Sequence, residues 1–136
     1  MDATIRQSSR LSTLDALRYT GAVLTLVVGV VHIQQYLDLI GDVPTIAELF
    51  VLNGIGAGIV VVLLMTRPRL LGALGGIGLS IGALVSLAIA RYVEEGLFDY
   101  IEPTFRAPVT VAVLAEVGAV VALSAYLVRH RAAETS

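Results

Sequence analysis

Four polar side chains stand inside segments of the sequence that are otherwise apolar: His32, Asn53, Ser86 and Glu116. A carboxylate inside a bilayer costs about 3 kcal/mol on insertion scales, so such a residue is paired, protonated or functional. Glu116 is therefore the main candidate for a ligand-binding or ion-coupling residue. His32, Asn53 and Ser86 are its candidate partners, because side chains of these types hydrogen-bond ligands or one another.

Several other kinds of site do not fit the composition. The chain has no Cys, which excludes thiolate metal sites and CxxC redox chemistry. The only other histidine, His130, lies past the far end of the last apolar segment, so two histidines cannot share a haem within one chain. Gly54, Gly56 and Gly58 follow no strand and do not form a dinucleotide-binding loop. No catalytic residue, metal site or nucleic-acid surface is predicted, and the remaining cofactors are unknown.

Four apolar segments must position these side chains. A helix crosses the hydrocarbon core with about 20 apolar residues, which predicts spans at 16–37, 46–65, 70–92 and 107–128. Because 57% of the residues are hydrophobic and only 15% are charged, too few polar residues remain to cover a soluble domain. No A-x-A site follows the first apolar core, so we expect that span to be retained. The fold class is all-α, a single transmembrane four-helix bundle running up-down-up-down.

The positions of the four polar residues along these spans place them in one layer of the bilayer. At 1.5 Å per residue, Glu116 lies about 12 Å below the outer boundary, Asn53 about 10 Å and Ser86 about 9 Å. His32 lies roughly 7–8 Å below the same boundary. We therefore predict a polar cluster inside the bundle that opens toward the outer face. The alternative is structural: Asn53 and Ser86 would only hydrogen-bond across helices, and His32 would be solvated at the interface.

The charged residues predict an orientation, because Arg in short loops marks the cytoplasmic side. Seven of the nine Arg fall at the two ends of the chain or in the second loop: Arg6, Arg10, Arg18, Arg67, Arg69, Arg129 and Arg131. The opposite side has Arg91 and Arg106 among seven acidic residues. Both termini are therefore predicted to be cytoplasmic. The third loop, 93–106, mixes aromatic and acidic residues, which favours an outer segment lying at the membrane surface.

Glycine is frequent at the small-xxx-small spacing that lets membrane helices approach closely. Such pairs are Gly54 with Gly58, Gly72 with Gly76, and Gly78 with Gly82. They predict tight packing within one chain, or a homo-oligomer or larger membrane complex in which one glycine face meets a neighbour.

Two stretches, HIQQYLDLIGDVPTIAELF and the later GLFDYIEPTFRAPVTVAVLAEV, carry a resemblance that covers most of the chain. They resemble a family of small uncharacterised four-span proteins of high-GC bacteria, and this resemblance implies four spans. The AELF that opens the second span also resembles DoxX-type membrane proteins, and that resemblance implies a quinone-linked redox accessory.

Three functions follow from these observations. The first is a non-enzymatic protein of the plasma membrane that binds a small ligand or lipid, or serves as an accessory subunit, through its outer polar pocket. The second is an oligomeric small transporter that uses Glu116 as its coupling carboxylate. The third is the DoxX-like redox accessory.

Overall fold

The computed structural model describes residues 2–135, and the side chains of residues 13–135. Four α-helices follow one another, and the described residues contain no β-strand beyond one isolated bridge between Leu97 and Tyr100. The helices are α1 (Asp2–Gln35), α2 (Ile46–Met65), α3 (Arg69–Tyr92) and α4 (Ala107–Glu134), with a π-helical turn at Tyr36–Ile40 that continues α1. The all-α prediction is confirmed.

The helix ends follow the helix-breaking residues of the sequence. Pro44 lies between the π-helical turn and α2, Pro68 directly precedes α3, and Pro108 occupies the first turn of α4. Proline is tolerated there because the first amides of a helix have no intrahelical acceptor. Only residues 66–68 separate α2 from α3, and so short a connection makes the two helices antiparallel neighbours.

All four helices are long and apolar enough to cross a membrane. Their lateral surfaces expose large apolar side chains such as Leu26, Ile59, Leu74 and Leu114, as expected where lipid is the solvent. Two spans are longer than predicted, since the apolar helices run through Thr13–Ile40 and Ala107–Glu134, 28 residues each. The apolar pattern predicted only the part suited to hydrocarbon, whereas helices continue past it with polar residues.

The helices pack as a four-membered ring in which α1 and α3 each contact α2 and α4. We call the end that carries the 93–106 loop the loop end, and the end where α1 begins and α4 ends the terminal end. A buried cluster fills the bundle toward the terminal end, and it includes Val60, Leu64, Ala73, Leu123 and Tyr126. No comparable cluster is found at the loop end of the described chain.

Only some of the predicted glycine pairs pack within the chain. A Cβ at Gly72 would lie 2.7 Å from the backbone nitrogen of Leu64, and one at Gly76 would lie 2.6 Å from Leu123 Cδ1. This pair packs as predicted. For Gly78 and Gly82, by contrast, no described heavy atom lies within 4 Å of such a Cβ, so this pair does not pack within the chain, and the alternative of a glycine face that meets a neighbour stays a prediction.

Replacing Gly72 with Ala tests the close approach of α2 and α3. Because the new methyl group would meet backbone rather than a flexible side chain, we expect a loss of about 1–3 kcal/mol in the free energy of unfolding. Gly58→Ala is the matched control, since a Cβ at that helical position meets nothing within 4 Å. Unfolding by SDS in mixed micelles, followed by helical circular dichroism, measures both. Equal stability of the two variants would contradict the packing.

Candidate functional site

A cavity of about 410 Å³ occupies the loop end of the bundle. Its wall is formed by all four helices and by the 93–106 loop, and most of the lining is apolar, from side chains such as Leu49, Leu79, Leu87 and Val109. All four candidate residues, His32, Asn53, Ser86 and Glu116, line this cavity. The structure therefore brings the predicted cluster together, one residue from each helix, while their roles in ligand binding or ion coupling stay predictions.

His32 on α1 and Glu116 on α4 form the buried polar pair of the cavity. His32 Nε2 lies 4.0 Å from Glu116 Oε1, and the two side chains are 11% and 3% exposed. The alternative of a solvated, interfacial His32 does not fit this burial. Nδ1 of His32 lies 2.9 Å from the carbonyl oxygen of Val28. In a neutral ring, this contact requires the proton on Nδ1 and leaves Nε2 as an acceptor facing Glu116.

The ring of His32 is held from the side by an aromatic neighbour. It packs against Phe50 on α2, with ring centroids 4.9 Å apart and the planes tilted by 47°. The bond to the α1 backbone and this ring contact together restrict how His32 can turn. The direction in which Nε2 points is therefore set by the fold rather than by Glu116.

Asn53 and Ser86 are the other two polar candidates in the cavity wall, and they do not form a hydrogen bond with each other. Asn53 Oδ1 is buried and has no hydrogen-bond partner, and the side-chain hydroxyl of the half-buried Ser86 forms no hydrogen bond within the part of the chain that the structure describes. The purely structural alternative required bonds across helices, and these are not formed among the described residues. Since buried polar groups in proteins are normally paired, the cavity presents hydrogen-bonding capacity that the fold leaves unused.

A second polar cluster, which sequence analysis missed, closes the cavity at the loop end, where the predicted cluster was expected to be open. Arg106 donates through Nη1 to Gln35 Oε1 at 3.0 Å and through Nη2 to Glu102 Oε1 at 3.3 Å. Tyr100 donates its hydroxyl to Glu102 Oε2 at 2.7 Å. All four residues line the cavity. Gln35 is one helical turn from His32, and that spacing was the only sequence signal for the cluster.

The backbone of the 93–106 loop forms hydrogen bonds with the end of α3. Arg91 donates through Nη1 to the carbonyl oxygens of Glu102 and Pro103, and its guanidinium lies over the ring of Phe105. Glu102 also donates its backbone amide to the carbonyl of Ala90 at 3.0 Å. Arg91 thus bonds to backbone carbonyls of this loop, and within the described part of the chain it forms no bond to the neighbouring acidic residues at 94 and 95.

The cavity combines a mostly apolar wall with a few polar side chains. Among the described residues, no group of three or more His, Cys, Asp or Glu side chains is arranged to hold a metal ion. No protein-family model, curated protein or solved structure matches the chain in the comparisons made. The resemblances to the four-span family and to DoxX-type proteins therefore stay predictions, and the function must be argued from the cavity itself.

Arg106→Gln tests the closure of the cavity. The change leaves the carboxylate of Glu102, whose side chain is 6% exposed, without its cation. Arg106 is 30% exposed, and water offsets part of the loss, so we expect a destabilisation of about 1–2 kcal/mol. Adding Glu102→Gln should recover part of it by removing the buried charge. Glu94→Gln, at an exposed position of the same loop, is the control. SDS unfolding measures all three, and full stability of Arg106→Gln would disprove the arrangement.

The pKa of Tyr100 provides a second test of the same cluster. Burial, and then the hydrogen bond to Glu102, raise the pKa of Tyr100 to about 12. Because the folded state favours the neutral phenol, its contribution to stability is present below pH 10 and is lost as the pH rises from about 10 to about 12. The difference in phenolate absorbance between the wild type and Tyr100→Phe should titrate near pH 12. Glu102→Gln should lower that pKa, and an unchanged titration would contradict the bond.

Proposed function

We propose that this chain is a multi-pass protein of the plasma membrane that binds a small amphipathic molecule, without catalysis, in the cavity at its loop end. The observation that carries the proposal is the cavity, in which a largely apolar wall surrounds a few polar side chains, and one buried atom among them, Asn53 Oδ1, has no hydrogen-bond partner. Ligand pockets in proteins have this composition, and they occupy about 300–1,000 Å³. The cavity volume of about 410 Å³ suits a small molecule or part of a lipid.

We prefer binding to transport across the membrane because the bundle is densely packed between the pair His32 and Glu116 and the terminal end. Toward the terminal end, the bundle is filled by Leu64 and Leu123, which are 0% exposed, and by Val60, which is 6% exposed. Packed side chains of this kind leave no space for water or an ion. The cavity thus has one polar end and a floor of packed, mostly apolar side chains, with the buried hydroxyls of Thr25 and Ser80 among them, which is the form of a pocket.

A proton- or cation-coupled transporter is the second candidate. It is supported by the proximity of two ionisable groups, His32 and Glu116, at membrane depth, since such groups in other membrane proteins mark ion and proton pathways. In this mechanism the apolar cluster at the terminal end would have to separate during each cycle.

The proposed orientation puts the terminal end in the cytoplasm and the loop end outside. It is supported by the exposed arginines at the terminal end, Arg67, Arg69, Arg129 and Arg131, because cytoplasmic loops are rich in Arg. The side chains of Arg6 and Arg10, which also contribute to the predicted orientation, lie outside the described ones. In this orientation the cavity belongs to the outer leaflet.

A cavity-filling substitution tests the binding function. Ala83 on α3 lines the cavity, whereas Ile81, two residues earlier, faces away from the cavity and is 46% exposed. We expect native mass spectrometry of protein extracted in mild detergent to show a bound small molecule on the wild type. Ala83→Phe should lose it because the new ring occupies the binding volume, and Ile81→Phe should keep it.

Two results would overturn the proposal. One is a wild-type protein that carries no bound molecule under conditions in which its helices remain folded. The other is proton flux into liposomes that exceeds the flux of empty liposomes and that Glu116→Gln abolishes, because that result would favour the transporter.

A further inference from the structure

We propose that the cavity takes its ligand sideways from the bilayer, through a gap between α2 and α3, and that this ligand is a neutral single-tailed amphiphile with a hydroxyl-bearing head. The inference rests on the proposed binding function and adds the route and the chemical class of the ligand. Three features carry it: the divergence of α2 and α3, the polar closure on the aqueous side, and the hydrogen-bond character of the buried groups.

The two helices are in close contact from the terminal end to the middle of the bundle, and then they separate. A Cβ at Gly75 would lie 3.3 Å from Val60, and one at Gly56 would lie 3.2 Å from Leu79. One turn beyond Gly78, a Cβ at Gly82 would meet no atom within 4 Å, although Gly82 lines the cavity and is itself exposed. On α2, the facing lining residue Leu52 is 61% exposed. The cavity therefore opens at the side of the bundle.

In contrast to the gap between α2 and α3, the aqueous side of the cavity is closed. The cluster of Gln35, Tyr100, Glu102 and Arg106 lies between α1 and the 93–106 loop, and Glu102 is only 5% exposed. A ligand from water would have to break these charge-assisted bonds, which are stronger than bonds between neutral groups. At the lateral gap, a ligand dissolved in the bilayer meets Gly82 and Leu52 and no ion pair among the described residues. The lateral route is therefore the less costly one.

The buried polar groups select the head of the ligand. Nε2 of a neutral His32, the carboxylate of Glu116 and Oδ1 of Asn53 all accept hydrogen bonds. A head with hydroxyl donors satisfies them, whereas an ester or ether head cannot. A carboxylate head would face the carboxylate of Glu116. A cationic head would pair with that carboxylate, but the cost of moving its charge from water into a mostly apolar cavity can exceed the gain from a buried ion pair. The tail then leaves through the gap into the hydrocarbon, so the cavity needs to hold only the head and the first part of the chain.

Four probes with the same oleyl-type tail but different heads separate these possibilities: monooleoylglycerol, methyl oleate, oleic acid and oleylamine. The wild-type protein in phosphatidylcholine liposomes is photolabelled with a monoacylglycerol that carries a diazirine in its acyl chain. Monooleoylglycerol at about tenfold excess over the probe should reduce specific labelling about tenfold, because ligands of similar affinity share one site in proportion to their concentrations. The other three probes should reduce it less than about twofold.

Two leucine substitutions test the lateral gap. Gly82→Leu places a side chain in the opening, and Gly58→Leu is the matched control because Gly58 is an exposed helical glycine with open space that does not line the cavity. We expect Gly82→Leu to reduce specific labelling about tenfold and Gly58→Leu to leave it unchanged, with equal helicity by circular dichroism. Arg106→Gln, which weakens the aqueous closure, should not speed the loading of the probe.

Three other outcomes of these labelling experiments would each overturn one part of the proposal. If oleic acid or oleylamine competes in place of monooleoylglycerol while Gly82→Leu still blocks labelling, the binding function stands and the assigned head is wrong. If monooleoylglycerol competes but Gly82→Leu has no effect, or Arg106→Gln speeds loading, the lateral route is wrong. If no probe competes and Gly82→Leu matches the wild type, this inference fails. The binding function itself is then judged by the molecule retained on the wild type and lost from Ala83→Phe.

Discussion

The structure depends on where its helices can approach each other closely. Lipid gives helices little reason to associate, so contact comes from small residues that let backbones meet. A Cβ at Gly29 would lie 2.7 Å from the Cβ of Ala57, and one at Gly72 would lie as close to the α2 backbone. These approaches hold α2 against α1 and α3 from the terminal end to mid-bundle. Beyond them, no comparable approach holds α3 to α2 at Gly82, and the space that remains there is the cavity.

At the loop end, where α2 and α3 are not closely packed, hydrogen bonds and ion pairs stabilise the bundle instead. Arg91 fastens the loop backbone to α3, and Arg106 joins Glu102 of the same loop to Gln35 of α1. Such bonds are directional and need every partner in place, whereas the apolar cluster at the terminal end tolerates small adjustments. The two ends of the bundle are therefore stabilised by different means, and the cavity lies at the junction between them.

The sequence predicted the helices, and it predicted that the four polar residues lie at one level of the bundle, because both depend on local quantities. Span length follows from bilayer thickness, and the rise per residue put His32 and Glu116 at similar depth. Which face of each helix a glycine occupies depends on rotation about the helix axis, so the pair Gly72 and Gly76 could not be told from Gly78 and Gly82 by spacing alone. The role of Arg106 was also hidden, since the path of an irregular loop through Gly96, Phe98 and Asp99, all with positive φ, has no periodic signal.

The distance between His32 and Glu116 bears on what the cavity is built to do. At 4.0 Å, the two groups are near enough to interact but too far apart for a hydrogen bond, which needs about 2.7–3.2 Å. With the proton of a neutral His32 on Nδ1, Nε2 and the carboxylate of Glu116 are both acceptors, so they cannot bond to each other at any distance. The bond from His32 to Val28 and the ring of Phe50 hold Nε2 in its position facing Glu116. Since buried acceptors are normally paired, this arrangement calls for a donor between the two groups, and the hydroxyl head of the ligand that we propose would supply it.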